Sequence, residues 1–211
     1  NARRIERTII ALQGMFIKVG QLISIMTNFL PQEFRAELEG LQDQVPPRPY
    51  KDIEARIREE FGGREVKELF AEFAERPIAA ASIGQVHVAR LHTGEKVAVK
   101  VQYPGVREAL AGDVRALAFS LRLTTLIARG LALPPLVAEL RTRLAEELDY
   151  CREGATQARF AQAYADDPEV LVPGVLLATP RVLVTEWLGG EPLARVAVAG
   201  TRADRDRLGL L

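Results

Sequence analysis

The chain has 211 residues, 48% of them hydrophobic and 27% charged, which is an ordinary composition for a globular protein. Its 28 basic and 28 acidic residues cancel. Without an excess positive field to hold phosphates, nucleic acid is not expected as a partner. The single cysteine, Cys151, excludes an internal disulfide and fits a reducing compartment. We expect Cys151 to be a small core residue.

The most membrane-like window covers residues 9–30 and has Lys18 near its centre. A lysine at mid-membrane costs about 2.5–3.5 kcal/mol on insertion scales, so we do not expect this window to span a bilayer. Contact with a membrane surface or with the rest of the protein stays open. The chain begins at Asn1 and ends within a helical pattern at 204–211, so we expect it to be a piece of a longer protein.

The first 75 residues are mainly helical in pattern. Apolar residues at spacings of three and four predict helices at 3–29, 31–43, 50–61 and 66–73, with an extended, proline-rich linker at 45–49. In the first helix Lys18 and Gln21 share a face, and Gly20 permits a close approach. From these residues alone, a solvated helix face is the simpler interpretation.

A predicted β-hairpin follows. Residues 84–91 and 97–99 are typical of strands, and 92–95 of the turn that joins them. A loop of small residues, Ala79-Ala-Ala-Ser82, precedes the first strand, and Lys100 closes the second. A lysine at the end of a Val-Ala-Val strand, opposite a loop whose side chains are too small to block a phosphate, indicates nucleotide binding.

The remaining pattern predicts helices at 106–128 and 136–164, strands at 170–177 and 181–186, a turn-rich connector at 187–192 and a final helix. The second of these helices carries an acidic cluster. Asp149 and Glu153 are four residues apart and are expected on one face, with Glu147 to one side. A solvated acidic face is again the simpler interpretation. The order of elements matches a kinase small lobe with its hinge.

Four signatures, in this order, resemble those of the UbiB/AarF family of atypical protein-kinase-like proteins. They are the K-x-G-Q motif, an alanine-rich loop in place of the glycine-rich one, the strand lysine and the E-x-D motif. Here they read Lys18-Val-Gly-Gln21, residues 79–87, Val97-Ala-Val-Lys100 and Glu147-Leu-Asp149. Glu153 falls where the family places the αC glutamate.

The resemblance implies an α+β fold: a protein-kinase-like small lobe, with an antiparallel sheet and an αC-type helix, at residues 76–188. A helical extension with the K-x-G-Q motif, residues 1–75, would precede it. Residues 189–211 would begin a large lobe. The catalytic loop and the metal site of a kinase would lie beyond Leu211, so no catalytic residue and no metal ligand is predicted within the chain.

The resemblance also implies ATP with Mg as cofactor. Lys100 would contact the α- and β-phosphates and pair with Glu153, and the backbone near Glu186 and Leu188 would bind the adenine. The implied nucleotide-contacting residues are Ala79, Ala80, Ala81, Ser82, Lys100, Glu153, Glu186 and Leu188. A lid that carries Lys18, Gly20 and Gln21 would cover the site, held by Glu147 and Asp149.

For the full protein the resemblance implies an ATP-using kinase-like ATPase or phosphotransferase, linked to ubiquinone or another isoprenoid lipid. Its expected location is cytoplasmic, with a peripheral position on the inner face of a membrane as an option. One alternative is a non-catalytic, nucleotide-gated scaffold that binds lipid or protein partners, which downstream sequence would distinguish. Another is an unrelated α+β domain, in which Lys100 and Glu153 would lie far apart. The substrate and the oligomeric state are not predicted.

The alanine-rich loop leads to a first prediction. Each Cβ narrows the accessible backbone conformations and fills space beside the phosphates. Ala81→Gly should therefore loosen the loop and strengthen nucleotide binding. The dissociation constants of ATP and ADP, measured by calorimetry, test this, and affinities that stay unchanged in the variant would contradict it.

Overall fold

The computed structural model describes residues 46–124 and 133–209. The predicted helices at 3–29 and 31–43, with Lys18, Gly20 and Gln21, lie outside these residues. The helices are α1 Tyr50–Glu60, α2 Val66–Leu69, α3 Val106–Thr124, α4 Leu133–Glu147, α5 Tyr150–Ala163, α6 Leu193–Ala199 and α7 Arg202–Leu208. The strands are β1 Glu72–Phe73, β2 Ala79–Ala80, β3 Gly84–Arg90, β4 Lys96–Gln102, β5 Val175–Ala178 and β6 Val182–Glu186. Within the described ranges, no helix is both long and apolar enough to cross a membrane.

The six strands form one antiparallel sheet in the order β1-β3-β4-β6-β5, with β2 also paired to β3. The predicted hairpin is present as β3 and β4, and Gly94 takes a positive φ of 97° in the turn between them. Val86 of β3 lies opposite Lys100 of β4, and Lys100 lies opposite Leu183 of β6. The sheet and helices together confirm the predicted α+β fold.

The main core lies between α1 and the sheet. Ile53 and Ile57 of α1 are fully buried in the same cluster as Val97, Val99 and Val101 of β4. Burying each such side chain contributes about 1.5–3 kcal/mol. Helix α1 and strand β1 therefore pack with the hairpin, although the predicted division at residues 75 and 76 separates them in sequence. That division stays a prediction.

The prediction of one continuous helix over 136–164 is wrong, because the structure has two helices there, α4 and α5. Asp149 breaks the helix with an extended conformation (φ −118°, ψ 95°) and caps α5 by accepting a hydrogen bond from the main chain of Cys151. The carbonyl oxygen of Leu148 is bonded to side chains instead of a helical N–H: Gln102 Nε2 at 3.1 Å and Arg107 Nη2 at 2.9 Å. These donors, distant in sequence, stabilise the non-helical conformation between α4 and α5.

Three smaller predictions are also wrong. The helix predicted over 66–73 ends at Leu69, because Phe70 is extended and β1 then pairs with β3. Of the strand predicted over 170–177, only the end from Val175 is paired. Cys151 is exposed, not in the core. Because α5 begins at Tyr150, that residue takes the buried position, with no exposed surface.

The buried face of β3 carries two polar side chains, Gln85 and His87, which connect this strand to two other segments. Gln85 Oε1 accepts a hydrogen bond from the main-chain nitrogen of Arg48 (2.9 Å), and Gln85 Nε2 donates to the Arg48 carbonyl (3.3 Å). The same amide lies 2.9 Å from His87 Nε2, and His87 Nδ1 lies 2.7 Å from the carbonyl oxygen of Ala74. A carbonyl only accepts, so Nδ1 carries the proton and Nε2 accepts from Gln85. The network ties the linker before α1 to the sheet.

Burial lowers the pKa of His87 below its ordinary value of 6.5. The unfolded chain therefore takes up the proton at a higher pH than the folded chain does. The contribution of His87 to stability is complete above pH 6.5 and is lost as the pH falls through the folded pKa.

We predict that the free energy of unfolding, measured in urea, decreases between about pH 7 and about pH 5.5, by at most about 1.4 kcal/mol per pH unit for one proton. His87→Asn should flatten this dependence. His92→Asn, in the exposed turn, is the matched control and should leave it in place. Equal slopes in the wild-type chain and in His87→Asn would contradict the prediction.

Candidate functional site

A cleft of about 250 Å³ lies between the small-residue loop, the end of β4 and the first turn of α5. Its lining contains most of the site residues that the sequence predicted. The lining residues are Ala79, Ala80, Ala81, Ser82, Ile83, Gly84, Val86, Lys100, Glu147, Tyr150 and Glu153. The structure thus brings together residues up to 74 positions apart in the sequence (79 and 153).

An ion pair joins the sheet to α5 in this cleft. Lys100 Nζ donates to both carboxylate oxygens of Glu153, at 2.6 and 2.7 Å. The side chains are 31% and 41% exposed, and a pair this exposed adds only about 0–1 kcal/mol to stability. The ion pair therefore matters for where it holds the Lys100 ammonium in the cleft, and not for the stability that it adds. The contact contradicts the alternative of an unrelated domain, which required the two residues to lie far apart.

The position of Glu153 depends on how α5 is held. Its first residue, Tyr150, donates its main-chain N–H to the carbonyl oxygen of Pro180 in the β5–β6 turn (3.1 Å). Gly154, next to Glu153, faces β5 and β6 so closely that an added Cβ would lie 2.8 Å from the Cβ of Ala178 and 3.2 Å from Leu183 Cδ1. The absent side chain at Gly154 therefore lets α5 approach the sheet, which brings Glu153 within reach of Lys100.

The alanine-rich loop is an ordered part of the sheet edge. Ala79 and Ala80 pair with β3, and the main-chain N–H of Ala81 donates to the carbonyl oxygen of Gly84 at 2.8 Å. Ser82 is 7% exposed, and its hydroxyl has no hydrogen-bond partner among the described residues. A buried polar group without a partner costs about 1–3 kcal/mol. A polar ligand in the cleft would offer this hydroxyl an acceptor.

The predicted hinge residues are not among those that line the cleft. Glu186 ends β6, and its carboxylate accepts a hydrogen bond from the main-chain nitrogen of Gly174 at 2.8 Å. Leu188 is 38% exposed just beyond it. Between them, the ring of Trp187 lies 4.1 Å from the ammonium of Lys96. The adenine contacts assigned to Glu186 and Leu188 stay predictions.

The acidic cluster is divided between two helices. Glu147 ends α4 and lines the cleft, whereas Asp149 is the cap of α5. The expectation that Asp149 and Glu153 share the face of one continuous helix is wrong, because the helix begins after Asp149. Their assigned partners, Lys18 and Gln21, lie outside the described residues, so the lid contacts stay predictions.

Comparison with known proteins identifies the family. Residues 40–209 match the ABC1 atypical kinase-like domain. The chain belongs to the ABC1 atypical kinase-like family. Over 202 residues it is 38% identical to the mitochondrial atypical kinase COQ8 of Saccharomyces cerevisiae, covering 94% of this chain and 40% of that protein. It is 37% identical, also over 202 residues, to the probable protein kinase UbiB of Azotobacter vinelandii, covering 92% and 37%.

A solved structure supports the same fold. The complex of Rv3197 with erythromycin, from Mycobacterium tuberculosis, superposes with a TM-score of 0.70 at 38% identity, over 94% of this chain and 51% of that one. The chain therefore spans less than half the length of these two curated relatives and about half of the solved chain.

Four cleft residues of this ABC1-family chain were not identified as site residues from the sequence: Ile83, Gly84, Val86 and Tyr150. The hairpin prediction placed Val86 on a strand face but not in the site. Gly84 begins β3 and is the one glycine in residues 79–87. A glycine within a strand often marks a close approach of another backbone, so the sequence did contain a signal here. Tyr150 gave no signal, because the apolar pattern continues through the break between α4 and α5.

No group of three or more His, Cys, Asp or Glu side chains is arranged to hold a metal ion within residues 46–124 and 133–209. The acidic residues at the cleft are Glu147 and Glu153, and Glu153 is engaged with Lys100.

The packing at Gly154 can be tested by substitution. Gly154→Ala should force α5 away from β5 and β6 and destabilise the chain by about 1–3 kcal/mol, the usual cost of overpacking. Gly112→Ala in α3 is the matched control, because an added Cβ there meets nothing within 4 Å. It should stabilise the helix by about 0.5–1 kcal/mol. Urea unfolding measures both, and equal effects would contradict the role given to Gly154.

Proposed function

We propose that this chain provides the part of an ATP site that binds the phosphates, within a longer kinase-like protein of the ABC1 family. One observation carries the proposal: the Lys100–Glu153 ion pair lies in a cleft lined by the small residues 79–82. A strand lysine held by a helix glutamate, next to a loop that covers the phosphates, is the arrangement that protein kinases use to bind ATP.

Each group in the cleft has a chemical role in this proposal. The ammonium of Lys100 binds phosphate oxygens, and Glu153 holds it in the cleft when no phosphate is bound. The buried hydroxyl of Ser82 donates a hydrogen bond to the ligand. Bound ATP supplies the transferable phosphoryl group, while the ligands for its magnesium ion come from outside residues 46–124 and 133–209.

The alanine side chains moderate binding in this proposal. Ala79 and Ala80 are fixed by pairing with β3, and the bond from Ala81 to Gly84 closes the turn that follows. A loop held in this way adapts less to a nucleotide than a glycine-rich loop does. We propose that the site therefore binds nucleotide more weakly than a glycine-rich loop would allow. A lid formed by the K-x-G-Q segment, with Lys18, Gly20 and Gln21, covers it in this proposal.

At the level of the whole protein we propose an ATPase or phosphotransferase that acts in ubiquinone or other isoprenoid-lipid metabolism, peripheral to the inner face of a membrane. The names of the curated relatives, atypical kinase COQ8 and probable protein kinase UbiB, support the kinase-like part. The lipid, the membrane and the location rest on the family resemblance.

Binding of ADP tests the site. Lys100→Met should weaken ADP binding by about tenfold to a hundredfold, because a hydrogen bond to a charged group contributes about 1.5–3 kcal/mol. Adenosine, which has no phosphate, should bind the wild-type chain and the variant equally. Lys67→Met is the matched control, since Lys67 is an exposed lysine of α2. Calorimetry gives the dissociation constants.

Two outcomes would overturn the proposal. One is a wild-type chain that binds neither ADP nor ATP at millimolar concentration. The other is a Lys100→Met variant with wild-type affinity for ADP, because the ammonium would then take no part in phosphate binding.

A further inference from the structure

Lys100 has a second partner in the cleft besides Glu153. Its Nζ lies 4.6 Å from the centre of the Tyr150 ring, over the ring face. Tyr150 and Glu153 are three residues apart in the first turn of α5, so both side chains reach the sheet from the same side of the helix. The ammonium is thus held between a carboxylate and an aromatic face, an arrangement that attracts cations electrostatically.

Tyr150 is more completely buried than either member of the ion pair. It has no exposed surface, whereas Lys100 and Glu153 are about one-third and two-fifths exposed. Its main chain is bonded to Pro180. Its hydroxyl lies beneath Gly84, 2.8 Å from where a Cβ would be. A tyrosine clamped at both ends provides a fixed surface for a flexible lysine.

The contact with Lys100 is made by the ring, not by a charged phenolate. Burial, with a smaller contribution from the nearby Glu153 carboxylate, raises the pKa of Tyr150, so the hydroxyl stays protonated at neutral pH. That hydroxyl has no hydrogen-bond partner among the described residues. The attraction for the ammonium therefore comes from the electron-rich ring face.

We propose that Tyr150 is a positioning residue of this site: its ring holds the Lys100 ammonium where a phosphate oxygen of the nucleotide binds. The ring keeps the ammonium in place when a phosphate competes with Glu153 for it. The proposal rests on the nucleotide-binding function proposed above and adds a residue that acts through Lys100, not on the ligand itself.

A fluorination series tests the ring without removing it. Tyr150→Phe keeps the ring and loses the hydroxyl, and phenylalanines with one, three and five ring fluorines then weaken the ring face at nearly constant shape. ADP affinity, measured by calorimetry on the complete chain, should stay within about twofold for Tyr150→Phe. It should then fall stepwise to about threefold to tenfold weaker at five fluorines. Adenosine affinity should not change along the series.

Two controls separate positioning from general damage. In the Lys100→Met background the same series should have no effect on ADP affinity, because the ammonium that the ring holds is absent. At Tyr103, a second buried tyrosine that does not line the cleft, the series should be flat. A flat series at Tyr150 would overturn the proposal, and so would an equal slope in the Lys100→Met background. A selective loss of ADP in Tyr150→Phe would assign the role to the hydroxyl instead and would also overturn it.

A measurement without nucleotide separates this proposal from the proposed function. If the wild-type chain binds no ADP, the proposed function fails, and the positioning proposal is judged by urea unfolding. A double-mutant cycle between Lys100→Met and the fluorination of residue 150 should then show a coupling that the matched cycle with Tyr103 does not. Absence of that coupling overturns the contact between ring and ammonium on its own terms.

Discussion

The close packing of α5 on strands β5 and β6 determines where the polar groups of this helix meet the sheet. At Gly154 there is no room for even one methyl group against Ala178. One residue earlier, Glu153 reaches Lys100, and one turn earlier Tyr150 lies beneath the same lysine. A small change in the distance between helix and sheet would therefore move the carboxylate and the ring together relative to the ammonium.

The charges in the cleft are unequal in number. Its lining contains one cation, Lys100, and two carboxylates, Glu147 and Glu153. A nucleotide that enters would bring further negative charge toward a lining that is already net negative. Favourable binding then requires further cations, and in our proposal these are a metal ion and Lys18 of the K-x-G-Q segment. The excess of carboxylates is the physical reason that the proposal includes both of these cations.

The fold class and the hairpin were predictable from the sequence because local signals agree there. The alternation in β3 and the His92–Glu95 turn both point to paired strands. The break at Asp149 was not predictable from periodicity, since Leu144, Leu148 and Cys151 keep the helical spacing across it. Side chains distant in sequence, Gln102 and Arg107, hold the junction. Strand β1 was missed because its own sequence has no strand pattern, and only its pairing with β3, later in the chain, makes it a strand.

The candidate site divides in the same way. The loop and Lys100 were found from the hairpin pattern, whereas Glu153 was found through the resemblance to the family, which also implied that the three lie in one site. Gly84 and Tyr150 were missed because their importance lies in how closely two segments approach, and a single sequence does not contain that distance. Glu186 and Leu188 were assigned to the hinge because they lie at and just beyond the end of β6, in the order expected of a kinase small lobe, yet they do not line the cleft.

The hydrogen bonds of His87 have a consequence for observing this protein in solution. The Ala74 carbonyl fixes the ring in the tautomer with the proton on Nδ1, and Gln85 joins that ring to the main chain of Arg48. Release of the Arg48 segment would free the Gln85 amide to turn and would change the environment of Nε2. The nitrogen chemical shifts of this one imidazole would then report whether the segment that leads into α1 is docked, without a label placed at the cleft.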